Sequence, residues 1–200
     1  MKHIKVGLST KSIAFAIKQL ENIKNTTVPL MIKNFLRECC EWIINEANSQ
    51  LDTSERGAEV IDDIKSSWHY VLKENGKAQI INSAEKAVYV EFGVGVVGQG
   101  NPHPNADEAG YDYNRPSLAK DIYDAWYFYA DGKESLDIPL NSIVWSSNIQ
   151  PRSGKDSPNR LKVYTAGAEG DMFLYNAMMN LISSGQVHKI WNNMKEIYLV

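Results

Sequence analysis

Residues 82–120 read NSAEKAVYVEFGVGVVGQGNPHPNADEAGYDYNRPSLAK, and the fold turns on how this stretch is divided. Asn82 offers a helix N-cap, with Glu85 reaching back from three residues on, and Gly93 stops the helix after Val90, Glu91 and Phe92. A strand over Val88 to Phe92 is the alternative. From Gly93 to about Lys120 the apolar periodicity disappears into Gly, Pro, Asn and Asp, which predicts a long loop. So long a loop inside a compact domain is usually functional or disordered.

Working outward, Ile4, Val6 and Leu8 alternate as a short strand, and Ser9 or Thr10 caps a helix over Ile13 to Ile23. Apolar residues then recur from Val28 to Leu51 at helical spacing, with Pro29 tolerated in the first turn. The polar run Asp52 to Gly57 ends that helix. Trp68 to Leu72 and Ala78 to Ile81 flank Asn75-Gly76, a pair suited to a tight hairpin turn. Beyond residue 120, Trp126 to Tyr129 is an aromatic strand followed by a turn at Asp131-Gly132. Leu140 to Trp145 is a further short element, Gln150 to Asn159 a loop, and Leu161 to Thr165 a strand. Two helices close the chain, Asp171 to Ser183 and Val187 to Leu199, with Gly185 between them.

These elements predict an α+β fold: a small, mostly antiparallel sheet packed with a long N-terminal helix and two C-terminal helices, with a long Gly/Pro-rich loop in the middle. With 200 residues and 44% apolar content, one core suffices. A single domain over 1–200 is expected, with an N-terminal strand and helices at 1–57, a core at 58–182 holding the loop at 93–120, and a last helix at 183–200.

The formal charge of -3, from 21 basic and 24 acidic groups, gives no broad positive field, and no Lys/Arg block gathers phosphates. No sequence-specific nucleic-acid partner is expected. The opening MKHIKVGLST lacks a secretory apolar run, and nowhere do about 18 apolar residues accumulate to span a bilayer, so no membrane partner and a cytoplasmic location are expected. Cys39 and Cys40 are neighbours on a helix, where their side chains diverge; they read as reduced thiols packed in a core.

Gly93-Val94-Gly95-Val96-Val97-Gly98 matches the dinucleotide fingerprint, with Asp112 about 20 residues on. A nucleotide site needs a helix opening from those glycines, whereas Gly100, Pro102 and Pro104 forbid one right after them. A loop is the better reading, and no cofactor is expected. Acids at Asp107, Glu108, Asp112, Asp121, Asp124 and Asp131, with His103 nearby, suggest a rival: a metal-dependent hydrolase or nuclease built on residues 103–131. Their spacing fits neither a calcium loop nor a His-Glu-x-x-His helix, and Arg115 and Lys120 partly neutralise them, so a solvated face is favoured and no metal or catalytic residue is assigned. The aromatic run Trp126 to Tyr129 lacks the basic residues of a base-stacking groove and reads as core or protein interface.

The run Ala84-Glu85-Lys86-Ala87-Val88-Tyr89-Val90-Glu91-Phe92-Gly93-Val94-Gly95, preceded by Ile80-Ile81-Asn82-Ser83, resembles the head-tail joining family of tailed phages, small morphogenesis proteins related to gene product ten of a lambdoid phage. The similarity continues through His103-Pro104, Trp126-Tyr127, Thr165-Ala166-Gly167 and Met172-Phe173-Leu174-Tyr175-Asn176-Ala177. It covers about Trp68 to Ile182, with an insertion-like stretch near Asp131 to Asn159. Val94 stands where the family commonly has Thr.

The resemblance implies a non-catalytic α+β protomer that joins a ring at the head-tail junction, docks on connector or tail-tube proteins, and passes from the host cytoplasm into the virion. In a ring each subunit needs one surface and its distinct complement. The interface candidates are Glu91, Phe92, Gly93, Gly95, Gly98, Gly100 and His103. Glu91 itself reads either as a solvated helix-end charge or as a ligand for a basic group or backbone amides on a neighbour.

Overall fold

The computed structural model describes residues 10–113, 119–120, 126–130, 136, 138–139, 143–149 and 160–199. The predicted strand at Ile4 to Leu8, the Asp131-Gly132 turn and the Gln150 to Asn159 loop lie outside these residues.

Helix α1 (Thr10–Asn22) runs through a π-helical turn, Ile23–Thr27, directly into α2 (Val28–Leu51). Asn22 and Val28 both hold right-handed helical angles, so the two predicted helices are one continuous rod. Pro29 supplies the reason for the π turn. Its ring crowds the carbonyl four residues back and removes a helical donor, and a widened turn just before it relieves both. Residues given no element above form α3 (Ala58–Ser66), which buries Val60, Ile61 and Ile64.

The hairpin β1 (Trp68–Lys73) and β2 (Lys77–Asn82) forms as predicted, with Gly76 at φ +73° in its turn. Helix α4 (Ala87–Phe92) starts later than its expected cap. Asn82 instead accepts the Ala84 N–H at 3.0 Å and donates its amide to the Ile64 carbonyl at 2.8 Å, closing a local turn onto α3.

The Gly/Pro-rich middle carries more regular structure than its composition suggests: β3 (Gly93–Val94), α5 (Gly95–Gly100) and α6 (Ala106–Ala109). Then come β4 (Ala119–Lys120), β5 (Trp126–Ala130), β6 (Ile143–Ile149), β7 (Arg160–Thr165), β8 (Gly167–Glu169), α7 (Phe173–Ser183) and α8 (Gln186–Leu199). The fold is α+β. Besides the hairpin, β3 pairs with β8, and β4-β5-β7-β6 form a four-stranded sheet, all antiparallel.

The chain divides into two compact units. One comprises the chain up to Asn45, His69–Ile81, and the residues from Met178 onward. Its buried apolar residues include Met31, Cys39, Cys40, Ile43, Leu181, Ile190 and Met194. Phe35 meets the edge of Trp191 at 5.3 Å between ring centroids, and Asn34 donates to the Tyr198 hydroxyl. The other unit comprises Glu46–Trp68 and Asn82–Ala177. Val94, Leu136, Ile138, Val163 and Ala168 form a buried cluster there, with Tyr89 packed against it, and Trp68 meets the edge of Phe173. No helix among the described residues is long and apolar enough to cross a membrane.

Both cysteines are buried and unbridged. Burial first, then the neighbouring Cys40 and Glu38, pushes the Cys39 thiol up to about 11, and burial likewise raises Cys40. An ordinary thiol near 8.5 is partly ionised at pH 8, whereas these stay protonated, and only the thiolate reacts. Native labelling of both by a disulfide reagent at pH 8 is therefore expected to be about 100-fold slower, or more, than in urea. Equal rates in the two conditions would contradict the burial.

Candidate functional site

Every α-helix leaves its first backbone N–H groups without intrahelical partners, and a side chain at the N-cap normally accepts one of them. In α7 the N-cap is Met172, whose carbonyl accepts the Asn176 N–H at 2.8 Å. Its side chain offers no acceptor of use, and its φ of +51° lies in the left-handed region that a β-carbon disfavours. The missing acceptor arrives from α4. Glu91 is buried, and its Oε2 accepts the Leu174 N–H while its Oε1 accepts the Tyr175 N–H, both at 2.9 Å. A carboxylate at the positive end of a helix dipole is favourable, more so when shielded from water.

His103 completes the arrangement. Its Nε2 lies 3.1 Å from Glu91 Oε1, and its Nδ1 accepts the Asn105 N–H at 3.0 Å. Accepting at Nδ1 places the ring proton on Nε2, from which it is donated to Glu91. An aromatic shell encloses the pair. The Phe92 ring lies 4.3 Å from His103 and is stacked on Tyr111 at 4.6 Å, and Tyr175 meets His103 edge-on at 5.2 Å. Tyr111 donates to the Gly93 carbonyl at 2.6 Å, and the His103 N–H donates to the Tyr113 hydroxyl at 2.8 Å.

Around this carboxylate two chain segments cross at backbone contact. Asp171 and Met172 donate to the carbonyls of Val90 and Glu91 at 2.7 and 3.2 Å. Gly93 holds φ +83°, and a β-carbon there would stand 2.5 Å from the Gly170 nitrogen; one on Gly170 would overlap the Glu91 carbonyl. Only glycine fits at either position. Arg56 fastens the same crossing from the other side. Its buried guanidinium meets Asp171 Oδ1 at 2.9 and 3.1 Å and donates to the Glu169 carbonyl at 2.6 Å, while Ser54 donates to Asp171 Oδ2 at 2.6 Å.

The sequence-derived candidates are therefore brought together, but mostly inward. Glu91, Gly93, Gly95, Gly98 and His103 are buried, Phe92 is half-buried and Gly100 is exposed. Glu91 is neither solvated nor waiting for a neighbour, since it binds amides of its own chain. The exposed apolar side chains of α5 are Val96 and Val97, which the sequence reading did not single out; they are 56% and 38% exposed. It also missed Arg56 and Asp171, whose pairing has no signature in sequence.

The nucleotide fingerprint fails for a reason other than the prolines. A short helix, α5, does form on the glycines, but the Gly95 N–H donates to the Tyr113 carbonyl at 2.8 Å and the Val97 N–H to the Ala166 carbonyl at 3.4 Å. Two of the amides that would hold a pyrophosphate are thereby committed within the chain. The structure describes part of the acidic rival's residues. Both ring nitrogens of His103 are engaged, and Asp107, Glu108 and Asp112 are exposed. Among the described residues no group of three His, Cys, Asp or Glu is placed to hold a metal. Asp121, Asp124 and Asp131 lie outside those residues.

Comparison with family models, with curated proteins and with solved structures finds no match to this chain.

Replacing Glu91 by Gln turns one acceptor into a donor that faces other donors. The expected loss, read from urea unfolding followed by circular dichroism, is about 2–4 kcal/mol, the range for leaving buried partners of a charged group unsatisfied. A loss within about 0.5 kcal/mol, as for an ordinary surface substitution, would show that the carboxylate does not fasten α7.

Proposed function

We propose that this chain is a structural morphogenesis protein of a tailed phage or prophage, which self-associates into a ring at the head-tail junction and docks on connector or tail-tube proteins without a catalytic step. It works in the host cytoplasm during assembly and then in the virion. One observation carries the reading. The pieces that resemble the head-tail joining family, Val90 to Gly93, His103-Pro104, Thr165 to Gly167 and Met172 to Ala177, are scattered along the chain, yet they fold around one crossing. Glu91 reaches partners 83 and 84 residues away. His103 and the Met172 to Ala177 segment meet on the Glu91 carboxylate, and Thr165 to Gly167 lie against the adjoining Gly95 and Val97; chance likeness between short motifs gives no reason for this proximity, whereas a shared fold does.

The crossing also explains how a small subunit presents an assembly element. It holds the first half of α5 in place, since β3 pairs with β8, Gly95 bridges to Gly167 and Val97 donates to Ala166, so Val96 and Val97 stand out on a fixed base. Apolar side chains fixed at a surface lose little conformational entropy on docking, which favours association.

Light scattering and negative-stain microscopy of the purified chain, alone and with connector and tail-tube proteins encoded beside it, test the reading. The expected result is ring-shaped particles whose mass is a multiple of 22.5 kDa, with Val96→Asp/Val97→Asp weakening docking while leaving stability within about 0.5 kcal/mol. A chain that stays monomeric in both settings, or that is missing from purified virions, would overturn it.

A further inference from the structure

We propose that α1 is a docking arm, and that its Lys11-Phe15-Lys18 face seats in an acidic cavity of a second copy of this chain. Because α1 continues through the π turn into α2 with helical angles at both joints, it cannot fold back along α2 to cover itself. Its large side chains stay in solvent as a result. Phe15 is 60% exposed, and Lys11 and Lys18 are exposed with it. At 100° per residue, positions 11, 15 and 18 share one face, two ammonium groups about 10 Å apart along the axis with a phenyl ring between them. A second exposed row, Ile13, Ile17 and Leu20, lies on another side and carries no charge to select a partner.

The complement lies in the unit that holds the Glu91 crossing. A cavity of about 580 Å³ there is lined by apolar Val97, Pro139 and Ala168 and by acidic Glu55, Glu169 and Asp171. Among the described residues no basic side chain lines it, and the remaining lining is polar and uncharged. Asp171 already has Arg56 behind it, which leaves Glu55 and Glu169 as the carboxylates for an incoming cation. A cavity that combines apolar lining with two carboxylates matches, in chemistry, a phenyl ring between two ammonium groups. Charge distribution points the same way. Of the 21 basic and 24 acidic residues, six lysines and only Glu21 fall before residue 34, leaving 15 and 23 for the rest of the chain. Opposite fields on two parts of one chain steer copies head-to-tail, the heterologous contact a ring requires.

The contact rests on the self-assembly reading, and a charge-swap experiment separates the two. Sedimentation velocity would be run on the full chain, on Lys11→Glu/Lys18→Glu, on Glu55→Lys/Glu169→Lys, and on an equimolar mixture of the two variants, with Phe15→Ser as a charge-neutral control. Each reversal is expected to weaken self-association about tenfold or more, the control likewise, and the mixture to recover it, since every arm then meets a cavity of opposite sign. Recovery by mixing also excludes misfolding as the cause of loss. Association of the wild type that no variant alters would overturn the contact and leave the assembly reading standing. A wild type that never associates, alone or with connector and tail-tube proteins, would remove both. Binding of phosphatidylglycerol vesicles or double-stranded DNA through Lys11 and Lys18, with self-association intact in the variants, would assign the arm to another partner and overturn the contact as well.

Discussion

An ionised carboxylate removed from water must recover its lost hydration from fixed donors, or the site cannot exist with the charge in place. Glu91 recovers it from three: two amides at the start of α7 and the imidazole of His103. Each donor comes from a different part of the chain from Glu91 itself. Satisfying this one group therefore joins the end of α4, the His103 turn and the first turn of α7. The aromatic rings of Phe92, Tyr111 and Tyr175 then keep water out, which strengthens the hydrogen bonds they surround.

The backbone obeys the same constraint. For Glu91 to reach the α7 amides, residues 90–94 must run against 168–172 at a separation that leaves no room for side chains between them. Glycine at 93 and 170 makes the approach possible, and Arg56 holds the far side through Asp171 and the Glu169 carbonyl. A buried ion pair of this kind adds little stability on its own account, because desolvation offsets most of its attraction, but leaving one partner unpaired is costly. Its effect is to make this crossing the low-energy arrangement and others expensive. Met172 is held in a left-handed conformation by the same contacts, and that strain is tolerated because the surroundings determine it.

Much of the fold was legible from local pattern. The helices α1 and α2, the Asn75-Gly76 hairpin, the strand at Leu161 to Thr165 and the two C-terminal helices each follow from periodicity or turn chemistry that acts within a few residues, whereas the fusion of α1 and α2 through a π turn did not show in the pattern. What was illegible depends on contacts between distant segments. Residues 93–100 look like a flexible loop because glycines dominate, yet those glycines allow the close approach that orders them against β8. Asp171 reads as the start of a helix, but Arg56 takes it, and the capping role passes to a residue in α4. His103 beside a run of acids suggests a metal ligand until its two nitrogens are traced to Glu91 and Asn105. Most of the residues marked by the resemblance to phage joining proteins face inward, which no local pattern indicates, while Val96 and Val97 between them are exposed.

The central claim is that Glu91 fastens α7 to α4, and amide hydrogen exchange at Leu174 and Tyr175 tests it most directly. Amides in the first turn of a helix have no intrahelical acceptor and ordinarily exchange quickly by local fraying. Held by a buried carboxylate, these two are expected to exchange as slowly as the centre of α7, and to become fast in Glu91→Gln while the helix centre stays protected. Fast exchange at both positions in the native chain would contradict the account.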